Sequence, residues 1–171
     1  MTTNIFLDKI LRVYCENTSL GCFSCDTIPN VHTARGQSFI FNLSPKNESG
    51  SHFVAVVINK RGDKSLYFDS YGTPLYTKEA LDRLSSTKVF FAGQRIQANE
   101  SISCGYFALA VCLCHRLKIP FARLYKKYSL DKLENNDKIV GDFIVDCLKK
   151  ISISSNIKIS ENDLREISRY I

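Results

Sequence analysis

Cys104 stands at the start of a run, Tyr106–Cys114, that is apolar on every face, and directly after a polar loop holding Ser101 and Ser103. Serine is a residue type that caps helix N-termini, so the loop-to-apolar change predicts a buried helix opening at Cys104. A sulfur there lies at the positive end of the helix dipole, which favours the thiolate, the form that attacks carbonyl carbon. The same helix start offers backbone N–H groups to a developing oxyanion. Gln97, seven residues earlier, brings an amide that serves as a second donor. On its own this is weak, because a cysteine opening a core helix is usually core filler.

The upstream sequence supplies what a cysteine nucleophile lacks. His52 begins a β-branched run, Phe53–Ile58, followed by the turn cluster Asn59–Asp63 and a second strand pattern, Lys64–Asp69. Folded as a hairpin, these strands set His52 beside Asp69. A carboxylate in reach of an imidazole fixes its tautomer and supports its positive charge, and the imidazole then activates a thiol. The candidate catalytic set is therefore His52, Asp69, Gln97 and Cys104, in that order along the chain.

That order resembles the adenain family of viral maturation cysteine proteases and, more distantly, the SUMO-specific proteases of the same clan. The acid lies 17 positions after the histidine, the glutamine seven before a Cys-Gly pair, and Gly50-Ser51 precedes the histidine. Phe68-Asp69-Ser70-Tyr71-Gly72 follows the second strand, and the likeness spans about residues 1–118. Phe53 and Asp69 depart from the tryptophan and glutamate usual in adenain, and the segment from Asp69 to Gln97 is shorter. The resemblance implies an α+β fold in which a mixed central β-sheet is flanked by helices and the nucleophile heads a buried central helix. It also implies an endopeptidase that cuts viral precursor and capsid proteins next to small residues such as glycine, acting in the virion and in the host cytoplasm or nucleus. The alternative within the clan is a protease that removes SUMO or ubiquitin from host proteins. The Gln97–Cys104 spacing, one residue longer than is usual there, leans against it.

The remaining sequence bounds these expectations. At 171 residues with 44% hydrophobic and 23% charged residues, the chain reads as one globular domain, 1–171, and as a monomer. Its longest apolar run falls far short of the ~20 residues a membrane helix needs. Seven cysteines without a secreted spacing point to a reducing compartment. Cys22 and Cys25 form a CxxC pair, but Cys15 and His32 are the only nearby partners and neither has finger spacing, so no metal or other cofactor is expected. Residues 70–103 contain no cysteine, so the disulfide-linked peptide activator of adenain has no counterpart there; any activating peptide binds without a disulfide. The net charge of +6 and the basic residues Arg116, Lys118, Arg123, Lys126 and Lys127 give DNA a non-specific footing.

Helical spacing is read over 3–14, with Ile5, Phe6, Ile10 and Val13 on one face, and over Thr77–Ser85, Phe121–Tyr128, Lys138–Lys150 and Glu161–Tyr170. Strands are read at Ser38–Leu43, Lys88–Ala92 and Gln94–Gln97, the last two as separate strands or as one strand broken at Gly93. Cys22 and Cys25 are placed in a loop. The half after Pro120 is read as a packing and partner-binding side without chemistry of its own.

Overall fold

The computed structural model describes residues 3–74 and 78–169. Five strands form one sheet in sequence order: β1 (Ser19–Ser24), β2 (Ser38–Asn42), β3 (Phe53–Ile58), β4 (Lys64–Phe68) and β5 (Lys88–Ala92). The two central pairings, β2 with β3 and β3 with β4, are antiparallel, while both outer strands add in parallel. The architecture is thus α+β with a mixed sheet.

Side-chain alternation divides the core between the two faces of the sheet. Ile40, Ala55 and Phe68 point to one face, which is covered by α1 (Asn4–Tyr14), α3 (Cys104–Arg116) and α5 (Asn136–Ser155). Phe39, Phe41, Val54, Val56 and Tyr67 point to the other, covered by the 25–34 segment and α2 (Lys78–Leu84). A helix sandwiched between a sheet and further helices has no solvent face, which is why α3 is buried continuously from Gly105 to Cys114. Truncating one of its leucines to alanine is the kind of core change that costs about 2–5 kcal/mol.

Several local expectations are corrected. In α1 the buried face is Leu7, Ile10, Leu11 and Tyr14, whereas Ile5 is 83% exposed and Val13 also reaches solvent. The 3.6-residue period was right and its phase was wrong, because Leu7 and Leu11 complete the inward stripe. Thr3 caps this helix by accepting the Phe6 N–H. Cys22 lies within β1, and Cys25 opens a 3-10 turn, Cys25–Thr27, in place of a plain loop. Gln94–Gln97 is not a strand: the Ile96 and Gln97 N–H groups both donate to the Ser70 carbonyl, so no ladder forms. The helix read over Phe121–Tyr128 is shorter, as α4 (Phe121–Tyr125), and α5 runs on through Ser155 before an αL residue, Asn156, ends it. The last helix, α6, covers Glu161–Ser168. Thr77 and Tyr170, expected at helix ends, lie outside the described residues.

At the edge of the sheet, β5 leaves Val89, Phe90 and Phe91 between 38% and 46% exposed. Among the described residues no helix is long and apolar enough to cross a membrane.

Candidate active site

The hairpin of β3 and β4 sets the first half of the site. Ala55 pairs with Phe68, so His52, before β3, and Asp69, after β4, meet at the same end of the sheet. His52 Nε2 donates to Asp69 Oδ1 at 2.8 Å. The Tyr71 N–H donates to the same oxygen at 2.7 Å, and the Tyr71 ring lies against the imidazole with centroids 4.8 Å apart. The chain then turns at Gly72, whose φ of 71° suits glycine, and a side chain there would meet the Arg95 backbone nitrogen at 2.8 Å.

The approach to His52 is built just as tightly. Asn42 Oδ1 accepts the N–H groups of Ser44 and Ser51, which folds the 43–51 loop back on the end of β2. Gly50 packs on this amide so closely that a Cβ would come within 2.7 Å of Asn42 Nδ2. The Gly50-Ser51-His52 sequence therefore serves loop closure.

Cys104 begins α3, as the sequence predicts, and lines a cleft of about 350 Å³ together with His52, Asn42, Gly50, Tyr71 and Ile102. Its sulfur hydrogen-bonds His52, and since Nε2 belongs to Asp69, Nδ1 is the nitrogen left for it. Burial alone would push the imidazole pKa down; the hydrogen bonds and charges of Asp69 and Cys104 outweigh it and hold His52 up at about 9. Asp69 is 1% exposed and its Oδ2 has no hydrogen-bond partner among the described residues. A buried carboxylate with an idle oxygen is costly, so the charge on His52 is its main compensation.

At the helix mouth, the Ser103 carbonyl accepts from both Tyr106 and Phe107. The Cys104 and Gly105 N–H groups, by contrast, take no acceptor among the described residues, which leaves them free for an incoming anion.

Gln97 sits differently from its sequence reading. It is fully buried and does not line the cleft. Its Oε1 accepts from Ser70 Oγ at 2.5 Å, and its Nε2 donates to the Ser101 carbonyl at 2.9 Å and to Ser101 Oγ at 3.2 Å. The amide thus ties the Asp69 turn to the loop before Cys104, with both hydrogens engaged.

Two site neighbours escaped the sequence reading. The first residue of α5, Asn136, is fully buried; its Nδ2 donates to the Ile96 and Ser129 carbonyls at 2.8 Å. The second, Asp137, accepts from Ser101 Oγ at 2.8 Å and also hydrogen-bonds Ser103; burial pushes its carboxyl pKa up despite both bonds. The half read as lacking chemistry therefore grips the loop that leads into Cys104. The only signal was Asn-Asn-Asp at a helix start, which reads equally as ordinary capping.

Burial pushes Cys112, Cys114 and Cys147 up to about 12 and Cys15 and Cys22 higher still. Cys22 and Cys25 assemble no metal set: no cluster of three His, Cys, Asp or Glu exists among the described residues. His115, at the far end of α3, hydrogen-bonds the Gly36 carbonyl and lies away from the cleft. His32 is exposed beside Arg35.

No family model matches this chain, and a search of curated proteins finds no match.

Proposed function

We propose that the chain is a cysteine endopeptidase with the fold and order of the adenain-like proteases, and that its substrates are viral precursor and capsid proteins. The observation that carries the reading is one imidazole held between a buried carboxylate and a thiol at the mouth of an open cleft. Cys104 Sγ attacks the scissile carbonyl carbon while His52 keeps the thiol proton. The tetrahedral oxyanion is received by the unengaged Cys104 N–H, and by the Gln97 amide once substrate shifts the Ser101 loop, so that Nε2 gives up its longer bond to Ser101 Oγ and turns into the cleft it does not line in the free protein. His52 then passes its proton to the leaving amine, which breaks the peptide bond and leaves a thioester. A water deprotonated by His52 hydrolyses the thioester and restores the thiol. Asp69 holds Nε2 throughout, so Nδ1 stays aimed at the sulfur.

No metal or cofactor is needed for these steps. Cleavage next to glycine and action in virion and host cell come from the resemblance, and a monomeric state is proposed beside them. DNA is a further proposed partner, on the exposed cations Arg123, Lys126 and Lys127. Such binding weakens steeply with salt: three phosphate contacts give a log–log slope of about −2.7. An absence of duplex binding at about 50 mM salt removes DNA from the scheme.

The deciding experiment incubates purified protein with the capsid precursors encoded beside it, wild type against Cys104→Ala. Cleavage by the wild type alone supports the reading; equal cleavage by Cys104→Ala ends it. Capture by a SUMO- or ubiquitin-derived electrophile, with the precursors left intact, would transfer the same chemistry to host conjugates.

A further inference from the structure

The start of α5 does more at this site than packing requires. Ser101 Oγ donates to Asp137, so its lone pairs are turned toward the Ser103 N–H and Gln97 Nε2, both at 3.2 Å. Ser103, itself buried, reaches the same carboxylate. One acidic group thereby takes both hydroxyls of the Ser101-Ile102-Ser103 segment that leads into the nucleophile. Asn136, the preceding residue, holds the other end of this loop at the Ile96 carbonyl. The segment from Ile96 to Cys104 is clamped at two points by adjacent residues of a helix that follows it by more than thirty positions.

We propose that Asp137 is a positioning residue for the nucleophile: through the Ser101 and Ser103 hydroxyls it sets where the start of α3 carries the Cys104 sulfur relative to His52. This rests on the catalytic reading above. Between Ile96, which is buried, and Cys104, the stretch Asn99–Ser103 is polar apart from Ile102, which is 46% exposed, and apolar packing fixes little of that stretch. Polar clamps on both sides are what remains to hold a sulfur within hydrogen-bonding distance of an imidazole. The plainer role for Asp137 is electrostatic, since an acid in the first turn of a helix stabilises its dipole. The two roles separate in the amide variant. Asp137→Asn keeps a hydroxyl acceptor and loses the charge, while Asp137→Ala loses both.

The test is the second-order rate of Cys104 alkylation by iodoacetamide, located by mass spectrometry. This reaction forms no oxyanion, so it reads the Cys104–His52 relation without the Gln97 amide. Asp137→Ala slows labelling by roughly 10- to 100-fold, the scale of a displacement of about 1 Å at a reacting pair. Asp137→Asn recovers most of that rate. The Ser101→Ala/Asp137→Ala double variant is no slower than Asp137→Ala, because the two residues act on one path. An Asp137→Ala rate equal to wild type, or an Asp137→Asn rate as low as Asp137→Ala, overturns the proposal. Where Asp137→Ala does not fold, Ser101→Ala carries the test: it slows labelling severalfold, and an unchanged rate is equally fatal. Wild type and His52→Gln, run alongside, isolate the premise. Labelling of wild type that is selective for Cys104 and lost in His52→Gln leaves the catalytic reading standing whatever Asp137 does. Labelling indifferent to His52 removes that reading.

Discussion

The end of β4 and the start of α5 each bring a carboxylate to the mouth of α3, and they do so by opposite means. Asp69 is delivered by a hairpin whose register leaves it no other place, is almost wholly buried, and works on an ion, His52. Asp137 comes from a distant helix, is partly open to solvent, and works on two hydroxyls. A charge buried against a charge is costly to disturb, since removing one partner strands the other. A carboxylate holding neutral hydroxyls at a half-open site is replaceable by any acceptor of similar reach. One side of the site stores electrostatic energy, and the other stores geometry.

The sharpest way to break this comparison is Asp69→Asn. With the imidazole's orientation and charge support both weakened, turnover on a cleaved precursor falls by roughly 10⁴-fold, the scale seen when the orienting acid of a triad is lost. A loss no larger than that of Asp137→Asn would mean that the two carboxylates do the same job.

Gln97 comes next because it joins the two sides, through Ser70 to one and Ser101 to the other. Gln97→Ala lowers turnover by about 10²–10³-fold with little change in KM, as removal of an oxyanion donor does. Unchanged turnover with a lowered melting temperature would reduce the amide to a strut between the loops.

The stored charge is also readable without substrate. His52 titrates at about 9 in the folded protein against an ordinary 6.5, so its stabilisation is complete below about 6.5 and is lost as pH rises through about 9. Denaturant titrations across that window show wild type losing up to about 3 kcal/mol that His52→Gln does not lose. Parallel curves for the two proteins would mean that the imidazole is not held charged.

On the α5 side, Asn136→Ala tests the clamp through stability alone. Three hydrogen bonds of a buried amide disappear, and the Ile96 and Ser129 carbonyls and the Ser129 N–H lose partners, for a destabilisation of about 2–4 kcal/mol. Thermal melts read it directly. A loss under about 0.5 kcal/mol, the size of an ordinary surface change, would mean that the clamp is absent in solution.

The same contrast explains what could be read from the chain. His52 and Asp69 were legible because β-branched alternation and a turn cluster fix a hairpin, and a hairpin has few registers. Cys104 was legible because a continuous apolar run has a visible beginning. The orientation of the Gln97 amide was not: a glutamine before a cysteine says nothing of Ser70, which reaches it only after the Asp69 turn closes. Asp137 was invisible for a similar reason, being a surface-type acid in a polar helix start, given meaning only by where α5 docks. Cys22 was misplaced because a strand pairing in parallel at an edge carries no turn signal to announce it. The phase of α1 was not legible because residue type ranks Ile5 and Val13 with Leu7 and Leu11, while burial depends on where β1, α3 and α5 lie.

The bare margin of β5 bears on how the protein behaves in a tube. Val89, Phe90 and Phe91 present an apolar strand with one side unpaired, guarded by Lys88, whose ammonium sits 5.4 Å from the Phe90 ring centroid. Mutual repulsion between copies carrying +6 each opposes the pairing of such margins. Added salt shortens the reach of that repulsion to about 8 Å at physiological strength. Concentrated stocks of this protein should therefore turn cloudy on adding salt rather than on removing it, and Phe90→Lys should keep them clear.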